Sequence, residues 1–181
     1  MRLDTYKNSS FDRGASSLKE ALWWLVRSLL FAPWFPVPSI LKVFSLRLFG
    51  ATVGRGVVIR SRVNVTFPWR LTVGDHVWVG EEVLIQTLAP VTIGSHVCIS
   101  QRAFLCTGSH NHASEGFDLL TAPISVEDGV WIAAGAFIGP GVTLGEGSLC
   151  AAGAVVVKST SPGIRVGGNP ARDLTASPDL Q

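Results

Sequence analysis

From Val53 onward an aliphatic residue returns every six positions. The series runs Val53, Ile59, Val65 and, after a two-residue slip, Val73, Val79, Ile85. After a second slip come Ile93, Ile99 and Leu105, and beyond a longer interruption Val126, Ile132, Ile138, Leu144, Cys150 and Val156. All fifteen of these sites are hydrophobic, and the fifth position of the unit is small or Val in fourteen of them, Trp69 being the exception. Glycine follows the aliphatic at 54, 74, 80, 94, 139 and 145. A period of six matches neither a 3.6-residue helix nor an alternating strand. It suits a short strand plus a sharp corner, three such sides closing a triangular coil of about 18 residues. The aliphatics then stack along the axis, the small fifth residues fit the inner corner, and glycine tolerates the turn. About five coils, paired as parallel strands ~4.8 Å apart, predict a prism roughly 24 Å tall. The slips predict bulged corners. Residues 109–124 are too many for a corner and predict an arm leaving the prism, where long ordered loops tend to carry function.

Before the repeat the pattern is different. Ser17-Leu18-Lys19-Glu20 has capping-box spacing, with Ser17 as the cap. It predicts a helix over residues 18–31 with Leu18, Leu22, Leu25 and Leu29 on one side, widened by Trp23, Trp24 and Leu30. The prolines at 33, 36 and 38 break it, and a second helix runs from Pro38 to a C-cap near Gly50. The longest uncharged run here, residues 28–41, contains all three prolines, so it predicts no membrane span. These helices suit two places that do not exclude each other. One is over the open end of the prism, whose strand edges need cover. The other is a membrane interface, where Trp24, Trp34 and Phe35 would be anchors. Three units follow: residues 1–52, helical and hydrophobic; residues 53–160, the β-helix; and residues 161–181, a tail.

Composition sharpens this. Of 181 residues 47% are hydrophobic, 15% are charged and nineteen are glycine, which fits a tightly packed β-rich chain and not a disordered one. The net charge of +2 hides a split: residues 1–72 hold eleven Lys/Arg against three Asp/Glu, and residues 73–181 hold four against ten. A segment both basic and aromatic-apolar fits a membrane surface better than nucleic acid, or else docks on an acidic part of this chain or a neighbouring one. Cys98, Cys106 and Cys150 have no metal-ligand or CxxC spacing, and the start of the chain has no apolar signal region. Both predict reduced thiols and a cytoplasmic location, at the inner face of the membrane if the N-terminal helices touch it.

The six-residue unit resembles the left-handed β-helix acyltransferases of the hexapeptide-repeat kind. The fuller pattern resembles the branch that serves colanic-acid and exopolysaccharide biosynthesis. The stretches that carry the likeness are Leu46-Arg47-Leu48-Phe49-Gly50-Ala51, Pro68-Trp69-Arg70-Leu71-Thr72-Val73-Gly74-Asp75 and Trp78-Val79-Gly80-Glu81. With them go Leu105-Cys106-Thr107-Gly108-Ser109-His110-Asn111-His112-Ala113-Ser114 and Gly168-Asn169-Pro170-Ala171. The resemblance implies a mainly β fold, acetyl-CoA as co-substrate, a sugar hydroxyl as acceptor, and a homotrimer with sites between neighbouring prisms.

Acyl transfer to a hydroxyl needs a base, which His supplies well near neutral pH. His110, at the mouth of the arm, matches the base of the family's Thr-x-x-His. A carboxylate or amide of the preceding coil often orients that imidazole in relatives, and by register Glu82 lies near that place. His112 and Asn111 are acceptor-binding candidates, and Trp131 matches an aromatic that flanks the acetyl group or the acceptor. By resemblance the Ala134 and Ala152 N–H groups would bond the thioester arm. Lys158 and Arg172, with Arg165 sharing the task, would meet the phosphates of CoA, as suits cations. Zinc chemistry, known on this fold, would need three convergent His ligands. His76 and His96 share a repeat position, but it faces solvent at a corner, so no metal is expected. Rival readings are an acetyltransferase for serine, a nucleotide sugar or a drug, and a non-catalytic β-helix scaffold.

Overall fold

The computed structural model describes residues 2–6, 8 and 11–174. Two helices, α1 (Ser17–Leu30) and α2 (Ser39–Leu48), precede the strands. The first coil is β1 (Thr52–Val53), β2 (Val58–Ile59) and β3 (Asn64–Val65), and the second β4 (Leu71–Val73), β5 (Trp78–Val79) and β6 (Leu84–Gln86). The third is β7 (Val91–Ile93), β8 (Cys98–Ile99) and β9 (Phe104–Cys106). An arm follows, β10 (Gly108–His110) pairing antiparallel with β11 (Leu119–Thr121). The fourth coil is β12 (Ile124–Val126), β13 (Trp131–Ile132) and β14 (Phe137–Ile138), and the fifth β15 (Thr143–Leu144), β16 (Leu149–Cys150) and β17 (Val155–Val156). β18 (Arg165–Gly167) starts a sixth turn, with β19 (Arg172–Asp173) folded back on it. The solenoid therefore has about six turns where the repeat predicted about five. The sixth was hidden because its core residue, Val166, lies ten positions beyond Val156.

Each aliphatic that leads a six-residue unit pairs with the leader of the next coil. On the first side Val53 faces Val73, then Ile93, Val126 and Leu144. On the second Ile59 faces Val79, Ile99, Ile132 and Cys150, and on the third Val65 faces Ile85, Leu105, Ile138 and Val156. All fifteen are buried. The fifth positions are buried beneath the corners except at Trp69, Ser109 and Thr160. The fourth position turns each plain corner with a positive φ: Gly56, Arg62, His76, Glu82, His96 and Arg102 do so in the early coils, and glycine alone from Gly129 onward.

The helices close the first coil. Arg47 donates to the Val53 carbonyl on β1, Lys42 Nζ to the Ile59 and Arg60 carbonyls beyond β2, and Trp23 Nε1 to the Val65 carbonyl on β3. Three side chains thus satisfy strand-edge groups that would otherwise be unpaired. The helix starts one residue from the expected cap: Ser16, not Ser17, accepts from the Lys19 N–H, and Glu20 turns back to Arg13. The Leu18–Leu22–Leu25–Leu29 stripe faces outward, because Glu20 and Trp23 occupy the buried face.

Both slips and the arm fall at one corner, between the third side and the first. Thr87 and Thr107, both buried, bind that corner together. Thr87 Oγ1 accepts from the Phe67 N–H and donates to the Phe67 carbonyl. Thr107 Oγ1 accepts from the Ala89 N–H and donates to the Gln86 carbonyl, while its own carbonyl accepts from Ala122 N–H where the arm returns. The root of the arm is therefore clamped to the coil below.

Thr107→Val keeps the shape and strands a buried N–H and C=O, so unfolding stability should drop by about 1–3 kcal/mol in urea titration. The Cys150 thiol fills a leader position, and burial pushes its pKa up to about 12. The unfolded chain releases that proton near the ordinary cysteine value, ~8.5. The contribution is thus complete below that pH and disappears as pH rises toward the folded value. The urea midpoint of the wild type should fall relative to Cys150→Val across that alkaline window; equal slopes would refute the assignment.

Candidate active site

A groove of about 620 Å³ runs along the corner between the second and third sides, lined by Gln101, Trp131, Ala134, Ala152, Arg165 and Leu174 among others. It crosses the third to sixth turns, on the order of 14 Å at ~4.8 Å per coil. Small residues make it. In the early coils the left-handed residue of this corner is Arg62, Glu82 or Arg102, whereas in the fourth and fifth it is Gly135 (φ 67°) and Gly153 (φ 68°). A Cβ at either glycine would meet no atom within 4 Å, so the lip is bare. Next to them, the backbone N–H groups of Ala134 and Ala152 make no hydrogen bond among the described residues. Trp131 stands exposed on one wall, its Nε1 donating to Ser100 Oγ at 3.0 Å.

The expected cations divide. Arg165 lines this groove, while Lys158 and Arg172 line a second hollow of about 330 Å³ next to it in sequence and turn. The tail after residue 174 lies outside the described residues.

His110 ends β10, part-buried. Its Nδ1 lies 2.9 Å from the Phe117 carbonyl oxygen across the arm. A carbonyl can only accept, so Nδ1 carries the hydrogen, and in the neutral ring the lone pair is on Nε2. The Phe117 ring stacks on the imidazole at 4.2 Å with an interplanar angle of 2°, and Tyr6 meets it edge-on at 5.8 Å. Phe117 sits at φ 51°, which turns its carbonyl toward the ring. The reading of residues alone missed Phe117 and Tyr6, since no spacing rule links them to His110. The hairpin with its positive φ brings Phe117 there, while the N-terminal segment, tied to the arm by the Arg2 N–H on the Glu115 carbonyl, brings Tyr6.

Glu82 does not reach His110 within the chain. It occupies the corner between the second and third sides, ion-paired with Arg62 at 3.2 Å and Arg102 at 2.7 Å, whereas the arm leaves another corner. The orienting partner inside one chain is the Phe117 carbonyl. Asn111 shapes the arm, its Oδ1 accepting from Ala113 N–H and its N–H donating to the Asp118 carbonyl. His112 is exposed beside it. His76 and His96 stack at 5.3 Å as their shared position implies, but the residues above and below in that column are glycines, Gly56 and Gly129. Two imidazoles do not make a zinc site. Among the described residues no three His, Cys, Asp or Glu converge.

Comparison with known proteins follows the same lines. No protein-family model matches the chain. It is 46% identical over 160 residues to the "Putative colanic acid biosynthesis acetyltransferase WcaF" of Escherichia coli (strain K12), covering 88% of this chain and 87% of that one. It is 30% identical over 125 residues to the galactoside O-acetyltransferase of the same strain, covering 67% and 62%. Among solved structures, the hexapeptide-repeat acetyltransferase VCA0836 of Vibrio cholerae O1 biovar eltor, complexed with acetyl-coenzyme A, superposes with a TM-score of 0.81. The match covers 94% of each chain at 28% identity. With these relatives, the in-register six-residue coils and the protruding arm, the chain belongs to the hexapeptide-repeat acetyltransferases of the left-handed β-helix fold.

Proposed function

We propose that the protein transfers acetyl from acetyl-CoA to a sugar hydroxyl in exopolysaccharide assembly, with His110 as general base. The observation that carries the reading is the tautomer fixed on His110: Nδ1 is committed to the Phe117 carbonyl, so Nε2 is free to take a hydroxyl proton. The acceptor oxygen, losing its proton to Nε2, attacks the thioester carbonyl, and the thiol departs with a proton. The open N–H groups of Ala134 and Ala152 suit the amides of an extended pantetheine arm, and Trp131 suits the wall beside the acetyl group. Lys158, Arg165 and Arg172 suit the phosphates. A sugar acceptor is supported by the names of two relatives, a colanic acid biosynthesis acetyltransferase and a galactoside O-acetyltransferase.

The same reading includes a homotrimer. His110 leaves the corner between the third and first sides, and the groove lies on the corner between the second and third. One rigid prism keeps these apart, so His110 of one copy serves the groove of another.

Thiol release from acetyl-CoA with a panel of sugars is the test. His110→Ala should lower kcat by about 10²–10⁴-fold while leaving acetyl-CoA binding, read by calorimetry, near wild type. Release without any sugar dependence, or undiminished in His110→Ala, would overturn the assignment. Co-expressing His110→Ala with Ala152→Trp, each inactive alone, should restore part of the activity through mixed assemblies. No restoration in a confirmed mixed trimer would place both halves of the site in one chain.

A further inference from the structure

Two helices that cap a coil need one face each for that task, and both carry a second apolar face. On α1, Leu18, Leu22, Leu25 and Leu29 are exposed along one side, with Trp24 beside them. On α2, Ile40, Leu41, Phe44 and Leu48 are exposed, while Lys42, Val43, Ser45 and Leu46 are buried. Between the helices Trp34 is 66% exposed and Phe35 64%. The buried faces rest on the first coil, so the outward faces look away from the prism at one end of its axis. Eleven large apolar side chains gathered there exceed the scattered exposure normal for a soluble surface.

The polar groups at this end are cationic. Lys42 and Arg47 are taken up by strand-edge carbonyls, which leaves Lys19 and Arg27 on the helices against one carboxylate, Glu20, already paired with Arg13. The Arg27 guanidinium lies 4.2 Å over the Trp24 ring, and that of Arg62 lies 4.2 Å over Trp34. Both arginines line a pocket of about 300 Å³ with Ser28 and Asn64. Aliphatic side chains flanked by tryptophans, with guanidiniums at the aromatic edge, match the layers of a bilayer interface: acyl chains, glycerol level, phosphates. On the second coil Asp75, Glu81 and Glu82 pair with Arg55, Arg60 and Arg62, and the Arg27 guanidinium binds Asn64 Oδ1. No helix among the described residues is long and apolar enough to cross a membrane, so the contact is peripheral.

We propose that this end of the prism docks on an anionic phospholipid membrane. The outer faces of α1 and α2 lie in the interface plane, and a lipid phosphate meets the Arg27–Arg62 pocket. Docking of this kind stands apart from the acyl-transfer chemistry and is read without it.

Purified full-length protein is floated with phosphatidylcholine vesicles, with and without phosphatidylglycerol. The expected result is co-flotation with the anionic vesicles that weakens as salt rises, and a blue shift of tryptophan emission. Leu25→Ser/Leu29→Ser/Phe35→Ser should abolish flotation while urea midpoint and thiol release stay near wild type. Arg27→Gln/Arg62→Gln should bind anionic vesicles about fivefold more weakly per arginine and keep a residual, salt-insensitive part. Absence of wild-type flotation with either vesicle, or equal flotation of both variants, would overturn the proposal. So would a triple variant whose mass in light scattering falls below wild type without lipid, since the face would then belong to a second copy.

Discussion

Every part of this chain depends on aliphatic side chains of successive coils meeting directly above one another inside the prism. Burying one such side chain is worth about 1.5–3 kcal/mol, and a one-residue slip on any side would turn the buried set outward. A coil therefore cannot gain or lose residues along its strands. It can do so at a corner, where the inserted backbone leaves the stack undisturbed. The chain places both slips and the whole arm at the same corner, and Thr87 and Thr107 replace the ladder bonds that a plain corner would have made. A hydroxyl that both donates and accepts suits this job: each bridges an N–H and a C=O that the detour leaves behind.

A stack of parallel strands has two ends, and the two are closed by different means. At the far end β19 folds back antiparallel on β18. At the near end helices close the coil, and helices have no free backbone groups along their sides to offer a strand edge. Their side chains supply the donors instead. Burial at this edge explains why Lys42, 1% exposed, has a pKa pushed down from its ordinary value, chiefly by desolvation and further by the Arg60 charge. Its ammonium is placed for edge carbonyls and not for a carboxylate. The capping therefore uses Trp23 of α1 with Lys42 and Arg47 of α2, and the side of each helix turned away from the coil keeps its leucines and aromatics exposed.

The solenoid was legible because its code is local. Six-residue spacing, glycine after the leader and small fifth positions each state the same geometry, and the register of all three sides follows from them. The arm was legible as an interruption, and His110 as its first titratable group. What was not legible depended on backbone angles or on polar competition. Glu82 was read as a partner of His110; within one chain a fourth-position residue with φ 60° belongs to a different corner, between two arginines. The Phe117 carbonyl had no signature, because a backbone acceptor is available at every residue and only the fold of the arm selects one. The helix cap slipped by one residue because Ser16 and Ser17 are both competent caps, and it is the Ser16 hydroxyl that the Lys19 N–H meets.

Stability and chemistry use different positions of the same six-residue unit. Leaders and fifth residues face inward and are committed to the core. The third and fourth positions face outward at the corners and are open to change, which is where Gly135, Gly153, Ala134 and Ala152 build the groove. The price of this division is rigidity. Corners of one triangular prism cannot approach one another, because each is fixed by the stacked strands of the two sides that meet there. A base on one corner and a groove on another can meet only if a second prism brings its own corner alongside, so in the proposed assembly the flat sides that make the fold stable also make it suited to sharing a site.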